Sequence, residues 1–179
     1  MKKSLTSISK FLRLILRHKP ETIGLTLDGN GWVAISALLE AAHKHHCSIS
    51  RQELDEVVFT NDKQRFAFSF DGLKIRANQG HSIVVDVELK PVQPPELLFH
   101  GTVARFLDSI QAEGLCKMER QHVHLSATTD TAISVGSRRG QPILLQIASE
   151  KMHKDGYLFF QSRNGVWLTD KVPWRYIEN

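Results

Sequence analysis

Cysteine is scarce in this chain of 179 residues: Cys47 and Cys116 are the only two. They lie far apart, which provides no disulfide framework and fits a reducing compartment. No run approaches the roughly 18 consecutive apolar residues that a membrane-spanning helix requires. The charged start Met1-Lys2-Lys3 would suit a signal peptide, but Ser7, Ser9, Lys10 and Arg13 interrupt any apolar core, so a cytoplasmic location is expected. A large charge excess is also missing. With 23 Lys+Arg against 19 Asp+Glu the formal charge is +4, which permits an anionic partner without naming one. No internal repeat is present. The cluster His43-Lys44-His45-His46-Cys47 lacks a matching Cys/His pair downstream, and neighbouring positions on a helix point in different directions. It therefore reads as a polar helix end rather than a metal site.

What is present reads first as helix. Leu5, Ile8, Phe11, Leu12, Ile15 and Leu16 recur at helical spacing until Pro20 stops the pattern, with Arg17 and His18 on the last turn. A cationic pair there can simply answer the helix dipole, or it can face an anion. An extended piece, Gly24-Leu25-Thr26-Leu27, and a turn at Asp28-Gly29-Asn30-Gly31 lead into Trp32-Val33. A second helix follows, with Ile35, Leu38, Leu39 and Ala42 on one face. Ser50 and Glu53 form a capping-box pattern that opens a third helix. The period then changes to two: Arg65 to Phe70 alternates, Asp71-Gly72 turns, and Leu73 to Ala77 returns as a hairpin. Three helices and a hairpin suggest a winged helix, a fold that binds nucleic acid or protein. The segment Arg76-Ala77-Asn78-Gln79-Gly80-His81-Ser82 is dense in hydrogen-bonding groups, as a solvated loop or a ligand contact would be.

The prolines of Pro91-Val92-Gln93-Pro94-Pro95-Glu96 mark a boundary, giving expected domains 1–90 and 97–179 with a stiff linker at 91–96. Beyond it the pattern is mixed, for a fold class of α+β. Leu97-Leu98-Phe99-His100-Gly101-Thr102 reads as a strand whose end opens into a cleft, and His122-Val123-His124-Leu125-Ser126 as its partner. Glycine there would allow close backbone approach, while imidazole and hydroxyl groups supply directional hydrogen bonds to a sugar and a pyrophosphate. A helix carrying Phe106, Leu107 and Ile110 ends at Gly114, and a short one begins near Thr129. Pro142 to Ile147, Tyr157 to Phe160, Gly165 to Thr169 and the closing Pro173 to Ile177 read as sheet.

Taken together, Leu16-Arg17-His18-Lys19-Pro20, Arg76 to Ser82, Phe99-His100-Gly101-Thr102, His122 to Ser126, Val135-Gly136-Ser137-Arg138-Arg139-Gly140-Gln141-Pro142 and Asn164 to Thr169 resemble the NAD-dependent RNA 2′-phosphotransferase family, called KptA in bacteria. The match runs in order through nearly the whole chain. The resemblance implies a winged helix joined to an ADP-ribosyltransferase-like NAD lobe of mixed and antiparallel β structure with short helices. It also implies a reaction in two steps. The 2′-phosphate of an RNA attacks C1″ of the NAD ribose and expels nicotinamide, giving RNA-2′-phospho-ADP-ribose. O2″ then attacks the phosphate, releasing RNA with a 2′-hydroxyl and ADP-ribose 1″,2″-cyclic phosphate.

On the same resemblance Arg17, His18, Arg76 and Arg138 are the catalytic residues, and His100, Gly101, Thr102, His124 and Ser126 contact NAD, a co-substrate that is consumed. A phosphate nucleophile is already anionic and needs positioning, which planar guanidinium forks provide. A histidine titrating near neutrality suits the phosphoryl-moving step. Arg138 is preferred to Arg139 because the family's arginine stands two positions before the glycine, here Gly140. No metal, membrane or obligate protein partner is expected beside the phosphorylated RNA. Val166 stands where many ADP-ribosyltransferases place a glutamate, which argues against ordinary protein ADP-ribosylation. Two alternatives remain: a transferase that caps nucleic-acid 5′-phosphates with ADP-ribose, and a non-catalytic RNA-binding module whose arginines only contact phosphates.

Overall fold

The computed structural model describes residues 4–60 and 64–178; the charged start Met1-Lys2-Lys3 lies outside them. The chain is a mixed α/β protein with six α-helices among the described residues and only antiparallel strand pairs. It divides into two compact units, Met1–Glu88 and Leu89–Asn179, each with its own apolar core. Among the described residues no helix is long and apolar enough to cross a membrane.

In the first unit, α1 (Leu5–Arg17) buries Ile8, Leu12, Ile15 and Leu16. Its first turn is capped by Ser4, whose hydroxyl accepts from the Ser7 amide at 3.2 Å. A 3-10 turn, Pro20–Ile23, follows, and Gly24 leaves it with φ of +68°; the extended piece after it joins no sheet. Strand β1 (Val33–Ala34) runs into α2 (Ile35–Lys44), and α3 (Arg51–Phe59) starts at a complete capping box. There the Ser50 hydroxyl accepts from the Glu53 amide while the Glu53 carboxylate accepts from the Ser50 amide at 2.9 Å. Strands β2 (Phe66–Phe68) and β3 (Lys74–Ala77) form the hairpin, with β1 on the other side of β3. The pleat sends Ile75 and Ala77 into the core and leaves Arg76, opposite Ala67, on the other face.

The second unit begins with the proline-rich stretch, which is hydrogen-bonded rather than loose. The Val92 amide donates to the Phe159 carbonyl at 2.8 Å, and the Ser149 hydroxyl donates to the Pro95 carbonyl at 2.7 Å. Strand β4 (Leu98–Thr102) is followed by a 3-10 turn (Ala104–Phe106), α4 (Leu107–Glu113), β5 (Leu115–Cys116), β6 (Val123–Leu125) and α5 (Thr129–Gly136). A second 3-10 turn (Ser137–Arg139), β7 (Ile143–Ile147), α6 (Ser149–Lys154), β8 (Phe160–Gln161), β9 (Trp167–Thr169), β10 (Lys171–Val172), a 3-10 turn (Trp174–Tyr176) and β11 (Ile177–Glu178) complete it. The sheets are ordered β11-β7-β4, β6-β9-β8 and β10-β5. Phe99 and Ser126 exchange two backbone hydrogen bonds of 2.8 Å, tying β4 to the end of β6.

The expected sheet at Tyr157 to Phe160 narrows to Phe160–Gln161, and the closing segment starts as a helical turn, because Pro173 sets up the first turn of a 3-10 helix. The helix α6 carries only Ser149 and Met152 buried in a polar run, which leaves no apolar period to read.

Candidate active site

Arg17, His18 and Arg76 are assembled in the first unit by the end of α1 and the exit of β3. Arg17 is the last residue of α1 and His18 its C-cap, the His18 amide donating to the Leu14 carbonyl. Both arginines are buried, at 7% and 8% exposure. That is costly for a guanidinium unless it is paired and hydrogen-bonded. The Arg76 plane lies 4.4 Å from the centre of the Trp32 ring. Its Nη1 donates to the Asn30 carbonyl and to the Glu88 carboxylate, each at 3.3 Å. Glu88 is itself 63% exposed, so its compensation of the buried charge is weak. The Arg17 Nη2 approaches the Arg65 carbonyl at 3.5 Å.

The segment expected to be either solvated or ligand-facing buries Arg76, Ala77, Asn78 and His81, leaves Gln79 and Gly80 half-buried, and exposes Ser82. Asn78 and His81 are 7% and 1% exposed, and the Asn78 amide side chain donates to the Gln64 carbonyl. Among the described residues Arg76 Nε, Asn78 Oδ1 and His81 Nε2 are buried without a hydrogen-bond partner. Burial and then the charges of Arg17, His18 and Arg76 push the His81 imidazole down to about 4, so it is neutral near pH 7. The result is a concentrated positive charge with polar atoms left over, a receptor suited to an anion.

The second unit holds His100, Gly101, Thr102, His124 and Ser126. The first three lie on β4, His124 on β6 and Ser126 just beyond it. His100 Nδ1 lies 3.1 Å from the His124 carbonyl. A carbonyl only accepts, so Nδ1 carries the proton. Burial, with the charges of Arg139 and Arg120 adding to it, lowers the His100 pKa, and the hydrogen bond to His124 partly offsets this. His100 is therefore neutral, and its Nε2 offers a lone pair to a hydroxyl donor. The guanidinium Nη1 of Arg120 faces His124 Nδ1 at 3.3 Å and can only donate, so that nitrogen accepts. Arg120 was not singled out by sequence; nothing but its spacing of four from His124 signals it.

Gly101 carries a packing reason beside the close ligand approach that its sequence context suggested. A Cβ there would fall 1.8 Å from the Ala132 carbonyl oxygen of α5, with Gly136 of the same helix also in the way. The missing side chain admits the helix, and the strand–helix crossing is glycine on glycine. Arg138 and Arg139 follow directly on the 3-10 turn after α5. The Arg139 guanidinium turns back over the Phe106 ring at 5.5 Å, whereas Arg138 is exposed and its guanidinium makes no hydrogen bond among the described residues.

A family model for the RNA 2′-phosphotransferase, Tpt1/KptA family matches residues 3–171. The chain belongs to that family. It is 57% identical over 176 residues to a protein of Acaryochloris marina named "Probable RNA 2'-phosphotransferase", covering 98% of this chain and 97% of that one. A Flavobacterium johnsoniae protein of the same name is 55% identical over 172 residues, with 96% and 94% covered. One from Pseudomonas aeruginosa is 52% identical over 177 residues, with 98% and 97% covered. Of the residues expected from the Tpt1/KptA resemblance, Arg17, His18 and Arg76 lie in the first unit and His100, Gly101, Thr102, His124 and Ser126 in the second, while Arg138 stands exposed in the second unit, on the 3-10 turn after α5. Trp32, Asn78, His81 and Ser82 extend the group in the first unit. Three of these stood inside the conspicuous Arg76–Ser82 segment, whereas Trp32 stood only as the residue after the Asp28–Gly31 turn. Among the described residues no group of three or more His, Cys, Asp or Glu side chains is placed to hold a metal ion.

Proposed function

We propose that this Tpt1/KptA family member is an NAD-dependent RNA 2′-phosphotransferase. It transfers the 2′-phosphate of an RNA to NAD and releases 2′-hydroxyl RNA, nicotinamide and ADP-ribose 1″,2″-cyclic phosphate. The observation that carries the reading is the pair of buried arginines, Arg17 and Arg76, around a histidine held neutral, with Asn78 Oδ1 and His81 Nε2 as spare buried polar atoms. A phosphate monoester is the anion such a receptor suits, since guanidinium forks match its oxygens bidentately. Arg17 and Arg76 hold the 2′-phosphate in line for displacement, and Trp32 keeps the Arg76 plane fixed. His18 supplies a proton when the phosphoryl group moves to O2″. Arg138 takes the role of the family's remaining arginine.

The second unit's donor set fits NAD. The His100 Nε2 lone pair can accept from a ribose hydroxyl, and Thr102, Ser126 and His124 add hydroxyl and imidazole groups on adjoining backbone. Gly101 serves by letting α5 close on β4. NAD supplies the electrophilic C1″ carbon and the nicotinamide leaving group. In this reading the first unit is a winged helix and the second, which includes the proline-rich 91–96 stretch, an ADP-ribosyltransferase-like lobe, and the arginines provide the positive charge that a metal supplies in other phosphoryl transfers. The test is incubation with NAD and an RNA bearing one internal 2′-phosphate, with EDTA present and absent. Equal yields of nicotinamide and the cyclic phosphate, unaffected by EDTA, are expected. ADP-ribosylated RNA as the final product, or no nicotinamide release, would refute it.

A further inference from the structure

The residue after His81 makes two bonds onto two successive residues of the site. The Ser82 amide donates to the Arg17 carbonyl at 2.9 Å, and the Ser82 hydroxyl lies 3.0 Å from His18 Nδ1. Gly80, with φ of +83°, folds the chain over Arg17; a Cβ there would sit 3.2 Å from Arg17 Nη1. The turn thereby delivers Ser82 to the end of α1. The helix leaves its last carbonyls without intrahelical partners, and the Ser82 amide satisfies one of them at the residue that must hold the phosphate. The Ser82 side chain is exposed, and among the described residues its hydroxyl has this one partner, so the core does not require it.

An imidazole held through Nδ1 presents its opposite edge, Nε2, away from the holder. We infer that Ser82 is a positioning residue for His18, its hydroxyl fixing the ring so that the Nε2 edge serves the phosphoryl-moving step. This rests on the role proposed above for His18. In that step phosphorus exchanges its bond to RNA O2′ for one to ribose O2″, O2″ loses a proton and O2′ gains one. His18 lends a proton to the phosphoryl group while the exchange takes place. Ser82 touches none of the reacting atoms.

The experiment compares Ser82→Ala, Ser82→Thr and His18→Ala in single-turnover reactions with NAD and 2′-phosphorylated RNA. It is paired with ring 15N NMR of His18 in the intact protein. Ser82→Ala should slow the second step about threefold to tenfold, the range of one modest hydrogen bond, with the first step unchanged. Its second-step pH profile and the His18 ring-nitrogen shifts should also move, and Ser82→Thr should restore both because it keeps a hydroxyl. If Ser82→Ala leaves the profile and the shifts as in the parent, or slows both steps alike, the inference falls. If His18→Ala itself shows no selective loss of the second step, the reading of His18 falls, and the inference with it. Intermediate accumulation in His18→Ala beside a silent Ser82→Ala would overturn the Ser82 assignment alone.

Discussion

Replacing Gly101 by alanine separates two reasons for a glycine on β4, helix packing and ligand approach. The added Cβ would meet the Ala132 carbonyl oxygen at 1.8 Å and the Gly136 amide nitrogen at 2.9 Å, while ordinary contact begins at 3.4 Å. Helix and strand must therefore separate by about 1.6 Å, and both obstacles are backbone, which cannot rotate away. Such overpacking costs about 3 kcal/mol or more, a large share of the roughly 5 to 15 kcal/mol that holds a domain together. The reciprocal change, Gly136→Ala, meets Gly101 at 3.0 Å and Pro142 at 3.2 Å, a shortfall of a few tenths of an ångström. It also gains helix propensity of about 0.5 to 1 kcal/mol, so its net effect should stay within about 1 kcal/mol. Gly156→Ala, which meets nothing within 4 Å but has φ of +95°, should cost about 1 kcal/mol through backbone strain alone. Urea unfolding followed by Trp167 and Trp174 fluorescence gives the order, and NAD titration calorimetry gives affinity. A Gly101→Ala protein as stable as its parent but unable to bind NAD would refute the packing argument and favour ligand approach as the reason for the glycine.

Arg76→Ala should lower kcat/KM by about 2 to 4 kcal/mol in transition-state stabilisation if the clamp acts as one preorganised electrostatic contact; steady-state kinetics with 2′-phosphorylated RNA measures it, and a loss under tenfold contradicts the assignment. His18→Ala should let RNA-2′-phospho-ADP-ribose accumulate, resolved by rapid quench with labelled RNA, and equal slowing of both steps would remove its step-specific role. His81 titrates at about 4 in the folded chain and near 6.5 unfolded. The unfolded chain therefore takes up the proton first, and stability falls from pH 6.5 towards pH 4 by up to about 3 kcal/mol. Denaturation of parent and His81→Phe across that range should show a shallower fall in the variant; parallel curves would contradict it.

Local signals carried much of this architecture. Ser50 and Glu53 announced α3 because a capping box is written in two residues three apart, and Asp71-Gly72 between alternating runs announced the hairpin. The helix α6 was illegible since its place depends on Ser149 reaching the carbonyls of Pro95 and Glu96, more than fifty residues away. In the candidate site the polar density of Arg76 to Ser82 was visible, but not its burial, which follows from how α1 and β3 meet. Nothing near Gly101 reveals that Ala132 will press on it, and nothing near Trp32 that Arg76 will lie across its ring. Short-range chemistry is encoded by neighbours, whereas the reason for a residue can come from the far side of a fold.

The short strands of the second unit also bear on behaviour at high concentration. Sheets add further chains through long, flat, unpaired edges, the usual template for aggregation. Here β11, β8, β5 and β10 are each two residues long, too short to guide an incoming strand. Of the two five-residue strands, β7 lies between β11 and β4, and β4 has β7 along one side and the Phe99–Ser126 pair across the other. The Phe99–Ser126 pair therefore also acts as a guard against self-association, so a substitution that loosens it would be felt in solubility.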